Sequence, residues 1–273
     1  MTQYKIENDP KYISDRKKSF DLAADFYDKY RPNYPKEVFE WLIKATKLST
    51  NAKVLEIGCG TGQATFSLLD AGFKIQALDI SPKMIAILKK KKQINKNLVA
   101  HVMAFEECEF KPKTFDLIFS SQAKHWIDND ILYSKSAALL KSSGHICWVS
   151  NNLLYLDKTI RQKFNQLYKK YFMIMAKRDG GPLGDTANYL EKIKKEIAQS
   201  GFFEEAQLKK IPWKIEYTAD QYVGLLKSQS DHILQGKKIN QLLEGIHKAI
   251  LDNGGSLFIR YEACVGLAQK RKS

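Results

Sequence analysis

This sequence predicts an α/β protein with a mainly parallel, twisted sheet covered by helices on both faces, and three observations carry the prediction. Short apolar runs alternate with helix-period segments through residues 50–150, an order that yields parallel strands joined by helical crossovers. Val54-Leu55-Glu56-Ile57 runs directly into Gly58-Cys59-Gly60-Thr61-Gly62, with glycine on alternate positions. A second apolar run, Lys74-Ile75-Gln76-Ala77-Leu78, then closes on Asp79.

The elements follow in order from period and punctuation. Residues 15–30 and 36–47 read as helices, the second introduced by Pro35 near the first-turn position that tolerates proline. Residues 53–57 are the first strand, and 62–71 a helix that starts near Thr61 or Gly62 and stops at Gly72. Residues 74–79 are the second strand, after which Ser81-Pro82 caps a helix to about residue 92. Leu98–Met103 and Phe115–Ser120 are the third and fourth strands. Asp128 or Asn129 starts a helix to Leu140, and His145–Ser150 is the fifth strand. The rhythm then changes. Residues 157–177 are helical and aromatic-rich, Gly180-Gly181-Pro182-Leu183-Gly184 breaks the chain, and a helix from Thr186 to Ser200 ends at Gly201. A long strand over 207–217, helices at 219–228 and 237–251, and a final strand over 256–268 complete the chain.

Glycines without Cβ atoms allow a tight turn and close approach to a ligand, and the following helix presents unpaired N–H groups beside it. Asp79, at the carboxyl edge of the next strand, is placed to accept from a ribose diol, as in nucleotide-binding open sheets. The dinucleotide fingerprint needs its third glycine at position 63, which is Gln63, and no Gly-Lys-Ser/Thr phosphate loop is present. Glu56, two residues before the first glycine, suits a cationic ligand better than a pyrophosphate.

Val54–Gly62 resembles the first motif of class I S-adenosylmethionine-dependent methyltransferases. Ala104-Phe105-Glu106 resembles their third-strand loop, Phe115–Ser120 their fourth strand, and Leu140–Ile146 their helix-to-fifth-strand turn. The resemblance implies a Rossmann-like seven-stranded sheet with strand seven antiparallel between strands five and six. It also implies S-adenosylmethionine as cofactor, with S-adenosylhomocysteine as product. By position, Glu56, Gly58, Cys59, Gly60, Thr61, Gly62, Asp79, Ile80, Met84, Ala104, Phe105, Glu106, Ser120 and Gln122 are its candidate cofactor residues. The single domain divides into a helical lid (1–47), a cofactor core (50–150), a helical insertion (151–206) and the last strands (207–273), with further helices at 219–251 roofing the site.

Two further segments bear on the acceptor. Ser121-Gln122-Ala123-Lys124-His125-Trp126-Ile127-Asp128 follows the fourth strand, where ligands of such sheets bind. Its Ala-x-His-Trp element is similar to that of small-molecule methyltransferases of the trans-aconitate group. His125 is a candidate base or a structural imidazole; Trp126 is a pocket wall or a core residue. The lead-in Phe20–Pro35 resembles the same group's Tyr-Asp-x-Tyr-Arg-Pro-x-Tyr-Pro segment. Tyr27, Tyr30 and Arg31 are its candidates for ligand contact, with Tyr4 and Tyr12 further out. Arg31, whose fork matches a carboxylate, is a candidate partner for the cofactor's carboxylate or for an acidic acceptor, or else a packing residue. Phe164, Tyr168 and Phe172 are candidate acceptor-pocket aromatics. The Asn/Asp-Pro-Pro-Tyr/Phe motif of N-methylating members that act on DNA or protein glutamine is replaced here by Ser120-Ser121-Gln122-Ala123.

The wider composition bounds the reading. The 273 residues are 44% hydrophobic, enough for a proper core, with no run long enough to span a bilayer. The polar start Met1–Pro10 lacks a secretory pattern, and Cys59, Cys108, Cys147 and Cys264 lack metal-ligand spacing. A cytoplasmic protein with buried free thiols, acting as a monomer or weak homodimer without a metal, is expected. The net charge of +14 comes mostly from scattered lysines, with arginine only at 16, 31, 161, 178, 260 and 271. That pattern fits a solvated surface better than a phosphate-reading stripe. Methyl transfer to a small-molecule acceptor, at a carboxylate or hydroxyl oxygen, is the expected activity. A nucleic-acid methyltransferase and a non-catalytic cofactor-binding module remain the alternatives, with a dehydrogenase disfavoured by the missing glycine.

Overall fold

The computed structural model describes residues 10–91, 96–171, 186–233 and 239–272. Its elements are α1 (Pro10–Tyr30), α2 (Lys36–Thr46), β1 (Lys53–Ile57), α3 (Thr65–Asp70), β2 (Lys74–Asp79), α4 (Pro82–Lys91), β3 (Leu98–Val102), β4 (Phe115–Ser121), α5 (Asn129–Leu139), β5 (Leu140–Tyr155), α6 (Lys158–Tyr171), α7 (Thr186–Ser200), β6 (Gln207–Thr218), α8 (Ala219–Lys227), α9 (Ser230–Ile233), α10 (Asn240–Leu251) and β7 (Ser256–Gln269). The strands form one seven-stranded sheet in the order β3-β2-β1-β4-β5-β7-β6. Strands β1 to β5 run parallel and β7 is antiparallel to both β5 and β6. This is the Rossmann-like topology that the resemblance implies, and its strand order reverses at β1 and β4, where such sheets open a ligand crevice.

Apolar side chains fill both sheet faces. Val54, Leu117, Phe119, Cys147 and Val265 pack with α2, α3 and α4 on one side; Leu55, Ile118, Ile146 and Trp148 pack with α5 and α7 on the other. A third cluster joins α6, α8 and α10 to the far ends of β6 and β7. No helix among the described residues is long and apolar enough to cross a membrane.

Several boundaries differ from the sequence reading. Helix α3 starts at Thr65 rather than near residue 61, because Gly60 (φ +55°) and Gly62 (φ +102°) carry the chain through left-handed backbone first. The segment 140–144, read as a turn into the fifth strand, is already strand. β5 continues to Tyr155 because it pairs antiparallel with β7 from His145↔Gln269 to Tyr155↔Arg260. Short 3-10 turns at Phe105–Glu107 and Lys124–Trp126, and helix α9, are additions. The Gly180–Gly184 break, Phe172 and Tyr4 lie outside the described residues, as does the side chain of Tyr12.

Candidate active site

The glycine turn is built by its hydrogen bonds. The N–H groups of Gly58 and Cys59 both donate to the Leu78 carbonyl, at 2.8 and 3.0 Å, tying the end of β1 to β2. The Gly60 N–H donates to Asp79 Oδ2 and the Ser81 N–H to Asp79 Oδ1, each at 2.9 Å. An ionised carboxylate has about four acceptor sites, so Asp79 keeps acceptor capacity beyond its backbone partners. Burial raises its pKa, while the backbone N–H groups of Ser81, Gly60 and Ile80 hold it down. A Cβ on Gly58 (φ +68°) would lie 2.2 Å from that of Ala123, and one on Gly60 would lie 3.3 Å from the Tyr27 ring. Left-handed backbone and the close packing of Ala123 and Tyr27 therefore hold both positions to glycine.

Over this turn lies a first cavity. Asp79, Ile80 and Met84 wall it on one side and Met103, Phe105 and Glu106 on another; Trp126 and Ile127 line it from the loop after β4, and Phe20 and Tyr27 from α1. Ile80 is 39% exposed at the end of β2, an apolar surface that a flat ligand would cover. Trp126 meets Phe20 edge to face at 5.7 Å, joining the loop to the lid.

A second cavity of about 200 Å³ shares Tyr27, Gly58, Ser121 and Gln122 with the first. Its other walls are Arg31, Pro32, Tyr34, Cys59 and Gln63 from the amino-terminal third; Asn151, Leu153 and Tyr261 from the β5–β7 ribbon; and Tyr222, Leu225 and Gln229 from the roof. Arg31 is the one charged lining residue, with no histidine, aspartate or glutamate beside it among the described residues. Arg31 Nε donates to Ser228 Oγ at 2.8 Å and Nη2 to the Ser228 carbonyl at 3.3 Å, and its guanidinium lies 5.2 Å from the Tyr27 ring centre. Burial raises the Tyr27 hydroxyl and pushes the Tyr34 hydroxyl and the Cys59 thiol well up, so all three stay protonated. Gln122 holds left-handed backbone (φ +57°) without being glycine, a strain that persists only where surrounding contacts impose it. Its Nε2 donates to the Asn151 carbonyl at 2.9 Å.

Of the cofactor candidates, Gly58, Gly60, Asp79, Ile80, Met84, Phe105, Glu106 and Gln122 line the first cavity and Cys59 the second. Five others line neither. Glu56 is fully buried in β1 beneath the turn, and Thr61 is buried and accepts from Gln63 Nε2 at 2.8 Å. Gly62 packs against Phe66 and Leu88, and Ala104 only precedes the 3-10 turn. Ser120 donates across the sheet to the Ile57 carbonyl at 3.0 Å, so that Ser121 takes its place on the wall.

The acceptor candidates need correction. Lys124 is drawn inward to Glu196 at 2.6 Å, both side chains nearly buried. At three residues per 3-10 turn, that leaves Trp126 on the first cavity and turns His125 to solvent, outside both cavities. Phe164 and Tyr168 lie with Ile160 on one buried stripe of α6, and Phe164 stacks at 5.4 Å on Tyr222, which stands between it and the second cavity. Tyr30 packs against Gly224, where a Cβ would meet its ring at 2.3 Å, and so fastens lid to roof rather than facing ligand. Ser121, Asn151, Tyr222 and Tyr261 escaped the sequence reading; only the polar break after the fourth strand pointed to the first of them.

Comparison with known proteins bears on the family. Residues 55–148 match the model of the methyltransferase domain. An uncharacterised methyltransferase of Mycobacterium bovis is 26% identical over 90% of this chain and 94% of its own length. The malonyl-[acyl-carrier protein] O-methyltransferase 1 of Ilyobacter polytropus is 33% identical over 50% of this chain and 53% of its own. Among solved structures, phosphoethanolamine N-methyltransferase 2 of Haemonchus contortus, in complex with phosphomonomethylethanolamine and S-adenosylhomocysteine, superposes with a TM-score of 0.56 at 18% identity. The match covers 95% of this chain and 59% of that one. The domain match, these relatives and the shared fold support a class I S-adenosylmethionine-dependent methyltransferase. The residues present fit that cofactor: Gly58 and Gly60 line the first cavity without side chains, the Asp79 carboxylate stands beside them, and the apolar Ile80, Met84, Phe105 and Ile127 adjoin it.

Proposed function

We propose that this methyltransferase esterifies a small carboxylic acid held in the second cavity. When bound, S-adenosylmethionine supplies an electrophilic methyl group on a sulfonium. Asp79 would hold its ribose hydroxyls; Ile80, Met84, Phe105 and Ile127 would flank its base; Gly58 and Gly60 would pass beneath its methionine part. The residues common to both cavities, Tyr27, Gly58, Ser121 and Gln122, mark where donor and acceptor meet. Helix α1 contributes Tyr27 to that meeting point.

The observation that carries the reading is the second cavity's lining: among the described residues, Arg31 is its one charge and no general base is present. A hydroxyl acceptor needs a proton acceptor, whereas His125 faces solvent and the Tyr27 and Tyr34 hydroxyls stay protonated. A carboxylate is already a nucleophile and needs only to be held in line, where positioning supplies most of the rate. An ammonium acceptor would meet Arg31 with no carboxylate to balance it. The similarity to a malonyl-[acyl-carrier protein] O-methyltransferase supports the same bond type. Several lysines are spent on separate ion pairs, with Asp25, Asp28, Asp116 and Glu205 among their partners, which favours a small molecule over a nucleic-acid backbone.

The test uses methyl-labelled S-adenosylmethionine with a metabolite extract, followed by mild alkali. Carboxyl methyl esters release volatile labelled methanol; ethers and N-methyl products do not. Alkali-stable label would overturn the proposal.

A further inference from the structure

The β5–β7–β6 ribbon carries an amide whose orientation is forced. Trp213 Nε1 donates to Asn151 Oδ1 at 3.2 Å. An indole N–H can only donate, so the atom facing it must be the Asn151 oxygen, and the choice between the two amide flips is settled. The Asn151 NH2 group then points away from Trp213, donating to no protein group among the described residues, on a residue that lines the second cavity. Two further contacts stiffen the arrangement. Trp213 stacks on Tyr261 at 5.1 Å, and the Asn151 carbonyl accepts from Gln122 Nε2 at 2.9 Å.

Resting on the carboxylate reading above, we infer that Asn151 determines acceptor class. Its fixed NH2 donates to a carboxylate oxygen and rejects an ammonium, and Trp213 is the positioning residue that holds it so. A neutral donor suits this task. It orients the carboxylate without neutralising the charge that makes it nucleophilic, as a second guanidinium would. An amide free to flip would offer an oxygen to amines as readily as a donor to acids, so the indole is what makes the selection one-sided.

The experiment is an NMR titration of the protein loaded with S-adenosylhomocysteine, using acetate and methylammonium as minimal probes. The Asn151 side-chain NH2 pair is assigned by its loss in N151D, and the Arg31 Nε–H by its loss in R31K. Acetate should shift both signals saturably and methylammonium neither. In N151D, which keeps an oxygen for Trp213, acetate affinity should fall at least tenfold and methylammonium should begin to bind. In W213F, which keeps the ring but loses the N–H, acetate affinity should fall about threefold to tenfold, with S-adenosylhomocysteine affinity unchanged. Acetate that shifts Arg31 but not Asn151 overturns the inference and leaves the carboxylate reading standing. Acetate that shifts neither overturns both. Parallel loss of S-adenosylhomocysteine binding in W213F would reduce Trp213 to a structural role.

Discussion

Glu56 offers a sharp test of the electrostatics beneath the glycine turn. Its carboxyl is fully buried, and neither oxygen has a well-formed hydrogen bond among the described residues. Burial drives its pKa from the ordinary 4.5 up to about 8; the nearby Thr65 hydroxyl opposes this and the charge on Asp79 adds to it. Because the folded value is the higher one, the neutral carboxyl stabilises the fold fully below the unfolded pKa, and that contribution is lost as pH rises through about 8. Glu56→Gln removes the titration. Its amide leaves donors unsatisfied at a cost of about 1–3 kcal/mol, but that cost does not vary with pH. Each tenfold change in proton affinity between folded and unfolded chain is worth about 1.36 kcal/mol. The stability difference between variant and wild type should therefore swing in the variant's favour by about 5 kcal/mol from about pH 4 to about pH 9. Urea unfolding of the cofactor-free protein across that range reads the swing directly. The variant should be the less stable protein at the acid end and the more stable at the alkaline end. A difference that stays constant with pH would refute the reasoning, because it would mean that Glu56 is charged in the folded state or reached by water.

Four other outcomes follow from the geometry. Asp79→Ala removes an acceptor for the ribose diol and should weaken S-adenosylhomocysteine about tenfold to a hundredfold by calorimetry; an unchanged Kd would move the ribose elsewhere. Gly60→Val places branches where the Tyr27 ring already stands at 3.3 Å, so a folded variant, checked by circular dichroism, should fail to bind S-adenosylhomocysteine. His125→Ala should leave turnover and its pH profile within about twofold, since the ring faces solvent; a loss of about a hundredfold would restore it as a base. Asp25→Asn with Asp28→Asn removes the ion pairs of α1 to Lys83 and Lys91. Each such pair is worth under about 1 kcal/mol, so the double variant should release S-adenosylhomocysteine several-fold faster in stopped flow, and salt should speed wild-type release likewise.

What the sequence made legible is local. β1 and β2 begin and end where period and punctuation put them, and Asp79 stands beside the glycine turn because both belong to one strand–turn–helix–strand unit. What it hid depends on partners far away along the chain. Arg31 matches a carboxylate in isolation, yet its Nε is taken by Ser228, 197 residues on. His125 follows a strand end, but its direction is set by the Lys124–Glu196 pair, 72 residues apart. The Phe164–Tyr168 stripe reads as well for a pocket as for a core, and only the docking of α8 with Tyr222 over it decides between them. The length of β5 is equally non-local, since β7 supplies the hydrogen bonds that extend it.

The same division separates cofactor from acceptor. The methyltransferase-domain match spans residues 55–148, which contain the glycine turn, Asp79 and most of the first cavity. The second cavity draws Tyr27, Arg31 and Tyr34 from before that span, and Asn151, Leu153, Tyr222, Leu225, Gln229 and Tyr261 from after it. On the proposed reading, the matched domain holds the cofactor and most acceptor contacts lie outside it. Asn151 is three residues beyond the end of the match, on a strand whose extension exists only because β7 pairs with it. On that proposed reading, acceptor choice rests on the β5–β7–β6 ribbon and the lid. Substitutions there should change which molecule is methylated while leaving the affinity for S-adenosylhomocysteine where it was.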